Sequence, residues 1–169
     1  MNLQPTLTNE LVVLKPLQKE DFDTLYKVAS DKLLWEQHPN NDRYKKEIFE
    51  DFFQKAIESK GAFTIFDSKT NEVIGSSRFY QHDENTKTIV IGYTFIDRKL
   101  WGTSYNSSVK HLMIDYAFQF VDNIHFHVGE TNFRSQKAVE KLGAKVIGEI
   151  KDDTSAKTNW IYAITKNTI

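Results

Sequence analysis

The chain of 169 residues contains no cysteine. That excludes disulfides, thiolate metal sites and any mechanism that passes through a cysteine acyl-enzyme. An excess of charge of one sign is also lacking, since 22 Lys and Arg stand against 23 Asp and Glu for a formal net charge of −1. A nucleic-acid surface asks for clustered excess basic charge, so no nucleic-acid partner is expected. No apolar run reaches the length of a bilayer-spanning helix, so no membrane partner is expected either. The opening Met1-Asn2-Leu3-Gln4-Pro5-Thr6 lacks the basic and apolar regions of a secretory signal, which makes a cytoplasmic location the default expectation. Repeats, low-complexity tracts and internal linkers are absent from the sequence as well.

What is present is apolar and aromatic. Hydrophobic residues make up 40 % of the chain, with twelve Phe, seven Tyr and three Trp. That composition builds a sizeable core, and the length fits one domain over residues 1–169. Residues 11–17 read as a strand, with Leu-Val-Val-Leu before Lys15 and a stopping Pro16. Lys19-Glu20-Asp21 opens a helix with Phe22, Leu25, Tyr26 and Ala29 on one face. Residues 35–42 are polar and aromatic, punctuated by Asn and Pro, and read as a loop or broken helix. Over 45–59 the pairs Ile48/Phe49, Phe52/Phe53 and Ala56/Ile57 predict an amphipathic helix, closed by Lys60-Gly61.

The period then changes. Residues 62–67, 72–80 and 86–96 read as strands joined by turn-like polar segments. Residues 104–121 read as a helix with Val109, Leu112, Met113, Tyr116, Ala117 and Phe120 as its buried stripe. A strand over 124–128, a helix over 132–142 stopped by Gly143, and strands over 144–150 and 159–165 complete the order. The sum is a mixed α/β (α+β) domain. Its sheet is mostly antiparallel with six to seven strands, and about four helices cover both faces. The strand–helix–strand unit from 88 to 128 fits a parallel crossover, which binds ligands at its strand ends.

The segment from Phe95 to Asn106 joins the best strand to the best helix. A helix start offers unpaired N–H groups and a positive dipole end, which suit phosphate. Thr103, Ser104, Asn106, Ser107 and Ser108 add side-chain donors, and Arg98, Lys99 and Lys110 add charge. The same composition also fits an ordinary N-capped helix. No Gly-Lys-Ser/Thr ending is present, so this is not a nucleotide P-loop.

At these residues the chain resembles the GNAT superfamily of acetyltransferases, in the branch of the ribosomal-protein alanine N-acetyltransferases. The likeness is carried by Ile91-Gly92-Tyr93-Thr94, by Trp101-Gly102-Thr103-Ser104-Tyr105-Asn106 and by Tyr116-Ala117-Phe118. It continues through Asn132-Phe133-Arg134-Ser135, Ala138 and Lys141-Leu142-Gly143-Ala144. The resemblance implies an N-acetyltransferase that uses acetyl-CoA as cosubstrate and a primary amine as acceptor, without a metal. It implies that Tyr93, Thr94, Phe95 and Ile96, in the fourth of the strands read above, pair with the pantetheine arm. It further implies that Trp101 to Asn106 wrap the pyrophosphate, with Asn106 and Lys110 as phosphate contacts one helical turn apart. Asn132 and Ser135 would stand beside the thioester. The family loop usually reads Trp-Gly-Lys-Gly-Tyr-Ala; here Ser104 replaces its second Gly and Asn106 its Ala. A glutamate common two residues before the Ile-Gly-Tyr glycine is also replaced, with Ile89-Val90 in that stretch.

The implied chemistry is direct attack of a neutral amine on the thioester in a ternary complex. Backbone N–H groups at a bulge in the fourth strand would hold the oxyanion. Ser135 is the candidate hydroxyl for the leaving thiolate, and Glu130, at a strand end, the candidate base. Trp35, Glu36 and His38 are the candidate acceptor-binding residues in the aromatic loop. Tyr80, Tyr93 and Tyr162 are further donors to the thiolate. His125 and His127 share one strand face but lack a third metal ligand. Glu36, Asp42, Glu47, Glu50 and Asp51 either form an acidic mouth for a polycationic acceptor or are simply exposed helix charges. The acceptor classes left open are a protein N-terminus, an amino acid, a polyamine and an aminoglycoside. A catalytically silent acyl-CoA-binding protein and a cofactor-free α/β interaction module are the competing readings. The assembly expected is a monomer or a homodimer.

Overall fold

A computed structural model describes residues 1–152 and 154–168. Eight strands form one sheet: β1 (Leu7–Thr8), β2 (Val12–Pro16), β3 (Ala62–Asp67), β4 (Val73–Asp83), β5 (Thr88–Ile96), β6 (Asn123–Gly129), β7 (Lys145–Lys151) and β8 (Thr158–Thr165). Their spatial order is β1-β2-β3-β4-β5-β6-β8-β7. Every neighbouring pair is antiparallel except β5 and β6. The sequence predicts six to seven strands. The eighth is β1, two residues that pair with Leu14 and Val13 and are too short to show a period.

The helices are α1 (Phe22–Ala29), α2 (Lys46–Ser59), α3 (Tyr105–Ala117) and α4 (Phe133–Lys141). Lys19–Asp21 forms a 3-10 turn leading into α1. At the end of α2 the left-handed residue is Lys60, at φ 53°. Gly61 is required for a different reason: a Cβ there would stand 2.2 Å from the Phe79 carbonyl oxygen. Helix α4 stops at Gly143, at φ 92°, as expected of a left-handed cap. Helix α3 ends at Ala117, four residues before the predicted limit. Phe120 is therefore 45 % exposed, and the buried face of α3 holds Lys110 and Ile114 beside Val109, Met113 and Ala117.

Two apolar cores flank the sheet. Val109, Met113 and Ala117 of α3 pack with Phe63, Phe79, Ile89 and Ile91 and reach Val139 of α4. Leu25 and Ala29 of α1 pack with Phe49, Phe53 and Ala56 of α2, and with Trp35 and Phe95. Strand β5 serves both cores because its alternation switches. Ile89 and Ile91 belong to the α3 core, and so does Ile96 of opposite parity, whereas Phe95 belongs to the other. The switch is a bulge. Ser76 and Arg78 of β4 pair with Phe95 and Gly92, so two steps on β4 face three on β5. Tyr93 absorbs the extra residue at φ 53°, a left-handed conformation costing a non-glycine residue roughly 1–2 kcal/mol.

Candidate functional site

The parallel ladder between β5 and β6 is short. It joins Thr88–Val90 to Asn123–His125 and stops, although β5 continues to Ile96 and β6 to Gly129. A cavity of about 590 Å³ occupies the opening beyond the last pair, lined by β5 from Ile91 to Ile96 and by β6 from Phe126 to Gly129. Backbone N–H and C=O groups of unladdered strands need partners, so the opening suits an extended ligand with amide groups.

One end of the cavity meets the start of α3. Trp101, Gly102, Thr103, Asn106 and Lys110 line it. The turn is held by Trp101 Nε1, which donates to the Ile96 carbonyl at 3.2 Å, and by Gly102 at φ 74°. Ser104 occupies the N-cap position but makes no side-chain cap hydrogen bond. It sits at φ −79°, a conformation any residue adopts, so the replaced glycine leaves no backbone strain. The Tyr105 N–H donates to Thr103 Oγ1 at 3.3 Å, and the N–H groups that follow it in the first turn are open to an anion. Lys137 and Lys141, one turn apart on α4, also line the cavity, as does His111. Arg134 stacks 3.5 Å from the Trp101 ring centroid and also lines the cavity. The charges expected from Arg98 and Lys99 are used elsewhere: Arg98 pairs with Asp31 at 2.7 Å and Lys99 with Glu72 at 3.4 Å.

Lys110 sits at the bulge. Its Nζ donates to Thr94 Oγ1 at 2.5 Å, and Thr94 Oγ1 lies 2.8 Å from Ser77 Oγ. The ammonium has no carboxylate partner among the described residues, and burial pushes its pKa down to about 7. Asn132 caps α4, accepting from the Ser135 N–H at 3.4 Å, and both line the cavity. The Ser135 hydroxyl makes no hydrogen bond among the described residues and faces the cavity open to a ligand.

The other end is aromatic and cationic. Trp35 is buried, donates to the Ala29 carbonyl at 2.8 Å and packs 5.3 Å from Phe95. Arg43 is buried against Phe52, with 4.5 Å between guanidinium and ring centroid. His38 takes the Asn40 N–H on Nδ1 at 2.9 Å. Burial first, and then Arg43, push its pKa down to about 3, so it is a neutral imidazole. Asp152 lines the cavity from the β7–β8 turn. Its burial opposes ionisation, but N–H donors from Ser155, Thr154, Asn40 and Asn159 outweigh that and hold its pKa at about 2.

Between the two ends, Tyr80 crosses β5. Its hydroxyl lies 3.4 Å from His127 Nδ1, and both residues line the cavity. The crossing depends on Gly92, where a Cβ would stand 3.1 Å from the Tyr80 hydroxyl and ring. The Tyr80 and Tyr93 rings lie 5.0 Å apart.

Most of the residues singled out from sequence thus meet at one cavity: Tyr93, Thr94, Phe95, Ile96, Trp101, Gly102, Thr103, Asn106, Lys110, Asn132, Ser135, Trp35 and His38. Others do not. Ser104 is exposed, and Tyr105 hydrogen-bonds Asp67 at 2.7 Å outside the lining. Glu36 and Glu130 are exposed and outside it. Tyr162 is buried in the α3 core, and His125 does not reach the cavity that His127 lines. No cluster of three or more potential metal ligands occurs among the described residues. Arg43, Asn40, Asp152 and Lys137 complete the site without having been singled out, since nothing in their neighbouring residues marks them, and Lys141, quoted above only for the family likeness, joins them.

Known proteins share this fold. The family model described as an acetyltransferase (GNAT) domain matches residues 12–145. N-acetyltransferase p20 of Bacillus licheniformis, itself uncharacterised, is 27 % identical over 159 residues, covering 90 % of this chain and 89 % of its own. The structure of a GNAT-family acetyltransferase from Bacillus anthracis superposes with a TM-score of 0.79 at 19 % identity, covering 96 % of this chain and 99 % of its own. Spermidine N-acetyltransferase from Vibrio cholerae, solved in complex with CoA and spermine, gives a TM-score of 0.73 at 14 % identity, with 95 % and 98 % covered. At such identities the structural likenesses establish the fold.

Proposed function

The chain belongs to the GNAT acetyltransferase family and is an acetyl-CoA-dependent acyltransferase acting on an amine, and on that premise we propose a direct transfer within the β5/β6 opening. The observation that carries the proposal is the continuity of one cavity from the α3 start, through the strand opening, to the Arg43 end. The pyrophosphate binds the open N–H groups in the first turn of α3, with Lys137, Lys141 and Asn106 supplying further contacts. The pantetheine arm runs along Tyr93–Ile96 and pairs with the unladdered backbone, with Asn132 and Ser135 on its other side.

The primary amine enters from the Trp35, His38 and Arg43 end. Its nitrogen attacks the thioester carbon, and the oxyanion is held by backbone N–H groups at the bulge. The C–S bond then breaks. Ser135 donates a hydrogen bond to the departing thiolate. The His127–Tyr80 pair takes the proton that the amine must lose, since imidazole is the side chain suited to that task near neutrality. Glu130 is not assigned this role, because its side chain lies in solvent outside the cavity. With no cysteine in the chain, a cysteine acyl-enzyme is excluded, and a ternary complex is the simpler course. The test is thiol release from acetyl-CoA across a panel of amines. Amine-dependent release is expected; coenzyme binding without release from any amine would indicate a silent acyl-CoA binder.

A further inference from the structure

Arginine stays charged in a protein, and burying it without an anion is costly. Arg43 and Arg78 are each 7 % exposed, and neither has a carboxylate within 4.0 Å among the described residues. Arg78 Nε makes no hydrogen bond among the described residues. Among the described residues the one polar contact of the Arg43 side chain is Nη1 to His38 Nε2 at 3.4 Å. That contact does not satisfy it. The Asn40 N–H occupies His38 Nδ1, which assigns the proton of the neutral imidazole to Nε2, so donor faces donor. The Asp152 carboxylate acts on Arg43 only from beyond ion-pair distance, and its oxygens already accept from the Asn40 and Asn159 amides and two backbone N–H groups.

The two guanidiniums are held rigidly by rings. Arg43 stacks on Phe52, and Arg78 lies 3.9 Å from the Tyr93 centroid. Of the two, Arg43 lines the cavity. A planar donor fork, fixed, desolvated and lacking an anion, matches a carboxylate. We propose that the acceptor is a small amine carrying a carboxylate and that Arg43 receives that carboxylate; the assignment rests on the acetyl-transfer reading above and specifies its second substrate. A polyamine would instead meet the buried Arg43 guanidinium, and the one carboxylate in the lining among the described residues, Asp152, already accepts from the Asn40 and Asn159 amides and two backbone N–H groups. The acidic residues that suit a polycation, Glu36, Asp42, Glu47, Glu50 and Asp51, all lie outside the cavity lining. The volume of about 590 Å³ is shared with the pantetheine arm, which leaves room for a molecule of amino-acid size.

The test uses matched amines with the full-length protein and acetyl-CoA: L-amino acids, their carboxamides, the corresponding decarboxylated amines, and spermidine. The expected result is a kcat/KM for the preferred free acid about tenfold to a hundredfold above its amide and amine, the scale of one charge-assisted pair. In Arg43→Gln the acid-to-amide ratio falls to about one, through KM for the acid. Arg43→Lys, which keeps the charge but loses the fork, retains part of the preference, and a thermal shift with acetyl-CoA verifies the fold of each variant. Spermidine or neutral amines used as well as the acids would overturn the assignment and leave acetyl transfer standing. No thiol release from any amine, in a protein that acetyl-CoA stabilises, would overturn both.

Discussion

Lys110 reaches out of the buried face of α3 to hydrogen-bond Thr94 at the β5 bulge, placing an ammonium beneath the strand where the ligand is proposed to run. Burial holds its pKa at about 7, against 10.5 for a free lysine. Between those values the unfolded chain binds a proton that the folded chain does not, so stability rises with pH across that window. Below pH 7 the penalty is present in full. Lys110→Met removes the charge at similar volume. It is expected to raise Tm by several degrees at pH 6, at about 2–4 °C per kcal/mol for a chain of this size. The gain shrinks steadily towards pH 10. A Tm difference that does not vary with pH would contradict the assignment, and a thermal melt series from pH 6 to 10 checks it.

The Tyr80–His127 contact separates catalysis from coenzyme binding. His127→Gln is expected to lower kcat by about a hundredfold while leaving the acetyl-CoA KM within a few-fold, and the loss is partly recovered at high pH where more of the amine is neutral. Gly92→Ala pushes a methyl group against the Tyr80 ring and hydroxyl, 3.1 Å from its ideal position. It is expected to reproduce the kcat loss without altering either member of the pair. Steady-state kinetics from pH 6 to 9.5 decide the matter; an unchanged kcat in both variants removes the pair from the mechanism.

Ser135 and Asn132 are neighbours with different duties. Ser135→Ala removes a hydroxyl that makes no hydrogen bond among the described residues, so Tm stays nearly constant while kcat falls by about tenfold. Asn132→Ala removes the cap of α4 and costs about 1 kcal/mol of stability. Parallel melts and initial rates test this; equal stability losses in the two variants would contradict it.

The basic end of the cavity is tested by salt. Lys137→Ala together with Lys141→Ala raises the acetyl-CoA KM several-fold at low ionic strength, and the difference narrows as salt screens the charges over roughly 8–10 Å. A KM difference insensitive to salt would show that the two lysines do not act through charge.

The sequence revealed the elements whose signals are local. The four-residue recurrence of Phe49, Phe52, Phe53 and Ala56 marks α2, and Gly143 marks the end of α4. The strand-to-helix turn from Phe95 to Asn106 stood out because a helix start and its donors adjoin in the chain. Interactions between distant residues were not legible. Arg43 lies between Asp42 and Tyr44 in a polar stretch, and only tertiary packing sets it on Phe52. Asp152 lies between the strands read over 144–150 and 159–165, yet it hydrogen-bonds Asn40, 112 residues away. Periodicity placed Lys110 one turn from Asn106 but did not reveal that this face of α3 is buried. The bulge was anticipated from family resemblance, whereas its consequence, that Phe95 and Ile96 face opposite cores from the expected parity, required the strand register.

The most direct measurement is thiol release from acetyl-CoA by the wild-type protein, with mass analysis of both protein and amine. The expected result is release that depends on the amine, one acetylated amine per thiol, and no acetylated protein when the amine is omitted. Stoichiometric acetylation of the protein without amine, or binding of acetyl-CoA with no amine-dependent release, would contradict direct transfer in the β5/β6 opening.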